Sequence, residues 1–216
     1  MIRKWAKYTI YLLVVTCLML PAVSGAQSLD EIVGAVTRND TSTVSRYLGR
    51  GLDPDTTDAK GNTLLMLAAR LGHEEMVRLL IRWKARPDRR NTFGDTALAL
   101  ACLEAHSGVA KLLVSAGAPV NVPGWTPLHY AAFGGNTDLV NYLLDIGANK
   151  DAVAPNGYTA LMLAVRNDYP ATVRALLYRD PDLTVRAPGG ETALSIAQER
   201  GESGLVDLLR RAGAVR

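Results

Sequence analysis

The side chains able to do acid–base, metal or nucleophilic chemistry in this 216-residue chain are three histidines, two cysteines and 21 carboxylates. His73, His106 and His129 fall in three separate segments, and a tetrahedral metal site needs three or four ligands that converge. Cys102 stands among small apolar residues (Leu100-Ala101-Cys102-Leu103), where a buried and inert thiol is expected. The acids, among them Asp53, Asp55, Asp58, Glu74, Glu75, Glu191 and Glu199, are scattered over predicted turns and polar faces, with no pair in register for general acid and base work. No glycine-rich turn ends in Lys-Ser or Lys-Thr, so a phosphate loop is absent as well. These residues predict no catalytic site, no metal site and no cofactor.

What the glycines do mark is a period. Gly-x-Thr recurs at Gly61-Asn62-Thr63, Gly94-Asp95-Thr96, Gly124-Trp125-Thr126, Gly157-Tyr158-Thr159 and Gly190-Glu191-Thr192. Each copy is followed by a leucine (Leu65, Leu98, Leu128, Leu161, Leu194) and then by small residues such as Ala68-Ala69 and Ala131-Ala132. A second apolar cluster such as Leu79-Leu80 or Leu112-Leu113 closes the unit. A threonine before an apolar run predicts an N-cap, small residues predict close helix contact, and Gly117, Gly147 and Gly213 predict helix ends. The expected units are 61–93, 94–123, 124–156, 157–189 and a C-terminal cap at 190–216, with a weaker N-terminal copy at 28–60 carrying Ile32, Ala35-Val36 and Tyr47-Leu48.

With Thr126-Pro127-Leu128-His129 and Gly72-His73 in phase with that period, the chain resembles the ankyrin-repeat family. The resemblance implies an all-α solenoid of stacked helix-turn-helix units with short β-hairpin fingers, expected to fill 27–216 without a second domain. It also implies a non-catalytic surface for protein–protein interaction. Three departures bear on local geometry. The 94–123 unit is three residues short where its finger should be, Asp168-Tyr169 replaces Gly-His, and Asp180-Pro181 replaces Gly-Ala, so strained or reshaped turns are expected there.

Residues 1–26 differ in composition from all of this. Arg3, Lys4 and Lys7 precede an apolar run over 8–20, and Ser24-Gly25-Ala26 offers small residues to a signal peptidase. The run is shorter than the roughly 20 residues of a membrane-spanning helix, so a cleavable export signal cut after Ala26 is expected, with no membrane association afterwards. Removing it leaves 21 basic and 21 acidic residues, and that balance argues against nucleic acid as a partner. Only Cys102 then remains, so no intramolecular disulfide forms, and a monomeric periplasmic protein is expected.

In ankyrin folds the residues that vary lie at minus two, minus one, plus one, plus nine and plus ten from the unit's glycine. The resemblance thereby nominates a central aromatic patch of Phe93, Trp125, Phe133 and Tyr158, flanked by Arg70 and Arg166, as the partner-binding site. Packing of Trp125 and Tyr158 along the solenoid is the alternative reading. Trp83 is expected to be a packing residue, and Arg86, Arg89 and Arg90 a basic finger, either solvated or anion-binding. Exported bacterial relatives suggest a partner tied to oxidative-stress protection, an antibacterial toxin neutralised by an immunity protein, or a host protein met by a secreted effector.

Overall fold

The structure, a computed structural model, describes residues 25–214; the export signal expected at 1–26 lies almost wholly outside them. Among the described residues twelve helices follow one another as six antiparallel pairs. The pairs are α1 (Gly25–Thr37) with α2 (Thr41–Gly49), α3 (Leu64–Arg70) with α4 (Glu74–Arg82), α5 (Ala97–Leu103) with α6 (Ser107–Ser115), α7 (Pro127–Phe133) with α8 (Thr137–Asp145), α9 (Ala160–Arg166) with α10 (Pro170–Leu177), and α11 (Ala193–Glu199) with α12 (Ser203–Arg211). Each pair stacks on the next, inner helix against inner helix, and outer against outer except at the shortened finger, where α6 and α8 make little contact.

The threonines do what the sequence demands of them. Thr63, Thr96, Thr126, Thr159 and Thr192 are buried, and each hydroxyl accepts the backbone N–H three residues on, at 3.2–3.3 Å. Each thereby supplies a partner to a helix-start donor that has none within its own helix. From α3 onward the inner helices are only seven residues long and are sustained by burial: in α3, everything from Leu64 to Ala69 is buried. Such short helices do not persist alone in water. Outer helices bury one face only, for example Met76, Val77, Leu79 and Leu80 of α4.

The two family departures in the 157–189 unit leave the turns in their usual form. Asp168 and Asp180 take the left-handed backbone (φ +57° and +51°) that Gly135 and Gly147 take one unit earlier. Ala105 and Lys84 do the same at φ +61° and +66° without the local hydrogen bonding that helps aspartate there. Pro170 starts α10 as its first residue, where no backbone N–H is needed.

The fingers differ from the expected hairpins. Among the described residues no strand forms, and pairing is reduced to single bridges, Thr57 with Thr63 and Val153 with Thr159. The reason is length, because a tight turn consumes each finger. The N–H groups of Asp58, Asn91, Ala154 and Ala187 donate to the carbonyls of Asn62, Asp95, Tyr158 and Glu191, closing four equivalent tips.

Candidate protein-binding surface

The residues one place after each repeat glycine form an internal row. Asn62 and Asp95 are buried, and so is Tyr158, at 8% exposure. Asp58 accepts from the backbone and the side-chain nitrogen of Asn62, both at 2.9 Å. Asn91 donates to Asn62 at 2.9 Å and to Asp95 at 3.3 Å, while its own oxygen accepts the N–H groups of Phe93 and Asp95. The Tyr130 hydroxyl completes the ladder by donating to Asp95 at 2.5 Å, so residues of four units share one largely buried polar network. Burial and the adjoining Asp95 carboxylate push the Tyr130 phenol well above its ordinary pKa. At Asp58, burial acts to raise the carboxyl, but the Asn62 and Lys60 donors outweigh it and hold it below the ordinary carboxylate value.

Trp125 and Tyr158, nominated as anchors, are thus tied into the solenoid. Trp125 is half-buried, stacked on Tyr130 with ring centres 5.5 Å apart, and meets His129 edge-on at 5.9 Å. Tyr158 donates its hydroxyl to Glu191 at 3.1 Å, and the Arg166 guanidinium lies over its ring at 5.3 Å. Burial, with the Glu191 bond second, raises its pKa. Tyr158 therefore supports the surface from beneath and leaves Arg166 as its exposed face.

The positions that do reach solvent are the finger tips and the inner-helix ends. Phe93 is 73% exposed and Phe133 45%. Along the helix ends Arg70, Leu71, Glu104, Phe133, Arg166, Glu199 and Arg200 are exposed, and Leu103 and Asn167 are partly so. Adjacent units place these at helix-to-helix spacings of about 8–10 Å. The row is apolar at its middle, Leu103 and Phe133, and carries Arg70 and Arg166 at the units on either side.

Two of the histidines join units. The His73 and His106 Nε2 atoms lie 3.1 Å from the carbonyls of Thr37 and Arg70 in the preceding units. His129 accepts the Thr126 N–H at Nδ1 (3.1 Å), which leaves Nε2 to donate to the Ala152 carbonyl at 2.9 Å. Burial depresses its pKa, so it is the neutral imidazole that fills this slot. Where Tyr169 stands in place of histidine, the Asn167 amide donates to the Phe133 carbonyl at 2.9 Å. Among the described residues no three metal-ligating side chains converge. Burial pushes the Cys102 thiol up to about 12, as suits a packing residue.

Two basic residues of the finger are engaged. Arg86 pairs with Asp55 at 2.7 Å, and its backbone N–H reaches the same carboxylate. Arg90 donates to the Gly94 carbonyl at 2.7 Å and, across the shortened finger, to the Pro123 carbonyl at 2.6 Å. The notch is therefore stapled by a side chain. That carbonyl belongs to the shortened finger of the next unit, so Arg90 alone gave no sign of the role. The Asx ladder did carry a signal, because Asp58 and Asn91 both stand three places before their glycines. Trp83, expected to pack, is 40% exposed where α4 ends.

Comparison with known proteins finds repeats of the same kind. A model of ankyrin repeats in three copies matches residues 32–123 and 116–187. The chain belongs to the ankyrin-repeat family. A putative ankyrin repeat protein of Rickettsia bellii is 30% identical over 146 residues, covering 62% of this chain and 42% of that protein. The mouse B-cell lymphoma 3 protein homolog is 32% identical over 192 residues, covering 83% and 43%. A Caenorhabditis elegans homolog of the transient receptor potential cation channel subfamily A member 1 is 34% identical over 125 residues, covering 57% and 10%. The chain spans less than half the length of each of these relatives. Among solved structures, the crystal structure of an ankyrin repeat domain from Acinetobacter baumannii is similar over 86% of this chain and 98% of that one, at 25% identity and a TM-score of 0.76. Stacked repeats of this kind present an extended surface for protein–protein interaction.

Proposed function

We propose that this ankyrin-repeat chain is a non-catalytic binding module that holds a partner protein on the finger tips and inner-helix ends, with Phe93 and Phe133 as anchors. The observation that carries this is the exposure of both phenylalanines of the protein, although each is large enough to fill a core site. Such side chains add little to folding where they stand, and on binding each removes a large apolar area from water. Arg70 and Arg166 supply the polar rim, while Trp125 and Tyr158 hold the floor. The scaffold is ordered before association, so little entropy is lost on binding.

The export signal read at 1–26 supports a periplasmic site of action for a monomer. The resemblance to exported ankyrin proteins supports a partner tied to oxidative-stress protection. The buried side chains Ile32, Ala35 and Val36 of α1 all lie beyond the expected cut, so processing leaves the core intact.

The test is affinity capture from periplasmic extract with the processed protein and with a Phe93→Ser/Phe133→Ser variant. One stoichiometric partner should be captured by the former, with the variant at least about thirtyfold weaker, as expected on losing two anchors. Equal capture by both proteins would remove these residues from the site.

A further inference from the structure

We infer that the outer-helix side of the solenoid docks on an anionic phospholipid surface, which would leave the Phe93 and Phe133 side free for a protein partner. Two independent observations point there.

The first is charge. The outer helices with their closing residues (41–50, 74–84, 107–117, 137–147, 170–180 and 203–213) carry ten basic and six acidic residues; the other described residues carry ten basic and fifteen acidic. A chain whose processed form is balanced overall is therefore polarised, with its positive side on the outer helices. Helix ends favour basic residues in any case, and Arg82 and Arg174 hold such last-turn places. Lys84, just beyond the end of α4 at a left-handed backbone position, adds to the same basic group.

The second is where the exposed aromatic residues of this side lie. Tyr178 closes α10 at 86% exposure, and Trp83 closes α4 at 40%. Ile146, exposed at the end of α8, lies between them. Each aromatic has basic neighbours: Arg82 and Lys84 beside Trp83, and, beside Tyr178, Arg179, whose guanidinium stands 6.0 Å from the ring centre and also pairs with Asp145. Trp83 and Tyr178 are three units apart, about 30 Å at ordinary helix spacing.

A line of single aromatic side chains suits a bilayer better than a protein. A stable protein interface needs a contiguous patch of about 1,000 Å² or more with a buried centre. Isolated tryptophan and tyrosine side chains enter the headgroup layer one at a time, and adjoining arginine and lysine side chains meet the lipid phosphates. A groove of about 350 Å³ between α4 and α6, floored by Ile81 and Leu112, has Glu75 and Arg78 paired on its rim, which leaves Arg82, among the described residues, as its free cation beside Trp83. No helix among the described residues is long and apolar enough to cross a membrane, so the contact would be peripheral.

The experiment is co-sedimentation of the chain from Gln27 onward, which keeps the buried core of all six helix pairs, with vesicles of equal parts phosphatidylglycerol and phosphatidylcholine and with vesicles of phosphatidylcholine alone. Binding is expected to the anionic vesicles only and to weaken as salt screens the exposed charges. A Trp83→Ser/Tyr178→Ser variant should bind at least about tenfold less, by loss of its interfacial side chains, with an unchanged circular dichroism spectrum. Arg82→Glu/Arg174→Glu should lose the preference for phosphatidylglycerol, and Phe93→Ser/Phe133→Ser should bind as the parent does. No binding to either vesicle overturns the proposal. So does unchanged binding by the Trp83/Tyr178 variant, or self-association in lipid-free solution that the same variant abolishes, which would make the occupant a second copy of the chain.

Discussion

Replacing Gly157 by alanine makes two separate demands on the fold. The backbone there is left-handed, φ +83°, and an alanine pays about 1–2 kcal/mol to adopt it. The new Cβ would also stand 2.1 Å from Cδ of Pro188 and 3.0 Å from its Cγ, because the tip of the next finger rests on this glycine. Relieving such an overlap costs a further 1–3 kcal/mol or so. The sum is about 2–5 kcal/mol, a large part of the roughly 5–15 kcal/mol that stabilises a domain. Gly117 provides the control, since its φ is +87° and nothing lies within 4 Å of an added Cβ. Gly117→Ala should cost only the conformational term. Urea unfolding followed by circular dichroism compares the two, with hydrogen exchange as a second measure because repeat arrays can depart from two-state unfolding. Adding Pro188→Ala to Gly157→Ala should restore part of the loss through a favourable coupling in the double-mutant cycle. Equal losses for Gly117→Ala and Gly157→Ala would refute the claim that close finger stacking dictates this glycine.

Ala105→Gly should stabilise the protein by about 0.5–1 kcal/mol, the left-handed cost of alanine less the entropic cost of glycine; a lower urea midpoint would contradict the turn geometry. The neutral, buried His129 makes stability depend on pH. Its native pKa lies below the ordinary 6.5, so its contribution is complete above about pH 6.5 and is lost as the pH falls from there through the native value. The His129→Gln variant should flatten the urea midpoint over that interval, and an unaltered slope would exclude the histidine as its source. Cys102, fully buried with its thiol pushed up to about 12, should resist a thiol reagent at pH 8 in native protein and react once urea unfolds it; rapid native labelling would show that the α5 core opens.

The sequence by itself determined the period, and with it the helices, their threonine caps and the turns. Each of these depends on residues a few places apart, or on a backbone angle that glycine supplies. The same locality made the histidines legible as framework and Cys102 as core. Which side of a residue faces solvent was decided elsewhere. Asp95 and Tyr158 stand at places the family varies, yet one is fixed by a hydroxyl 35 residues away and the other by Glu191 in the next unit. Arg90 became a staple through a carbonyl 33 residues away, on the neighbouring finger. Trp83 is exposed because it follows the last turn of α4 with no element over it. Burial is set by what the adjoining unit brings alongside, so only the stacked structure distinguished the exposed phenylalanines from the aromatic residues that hold them up.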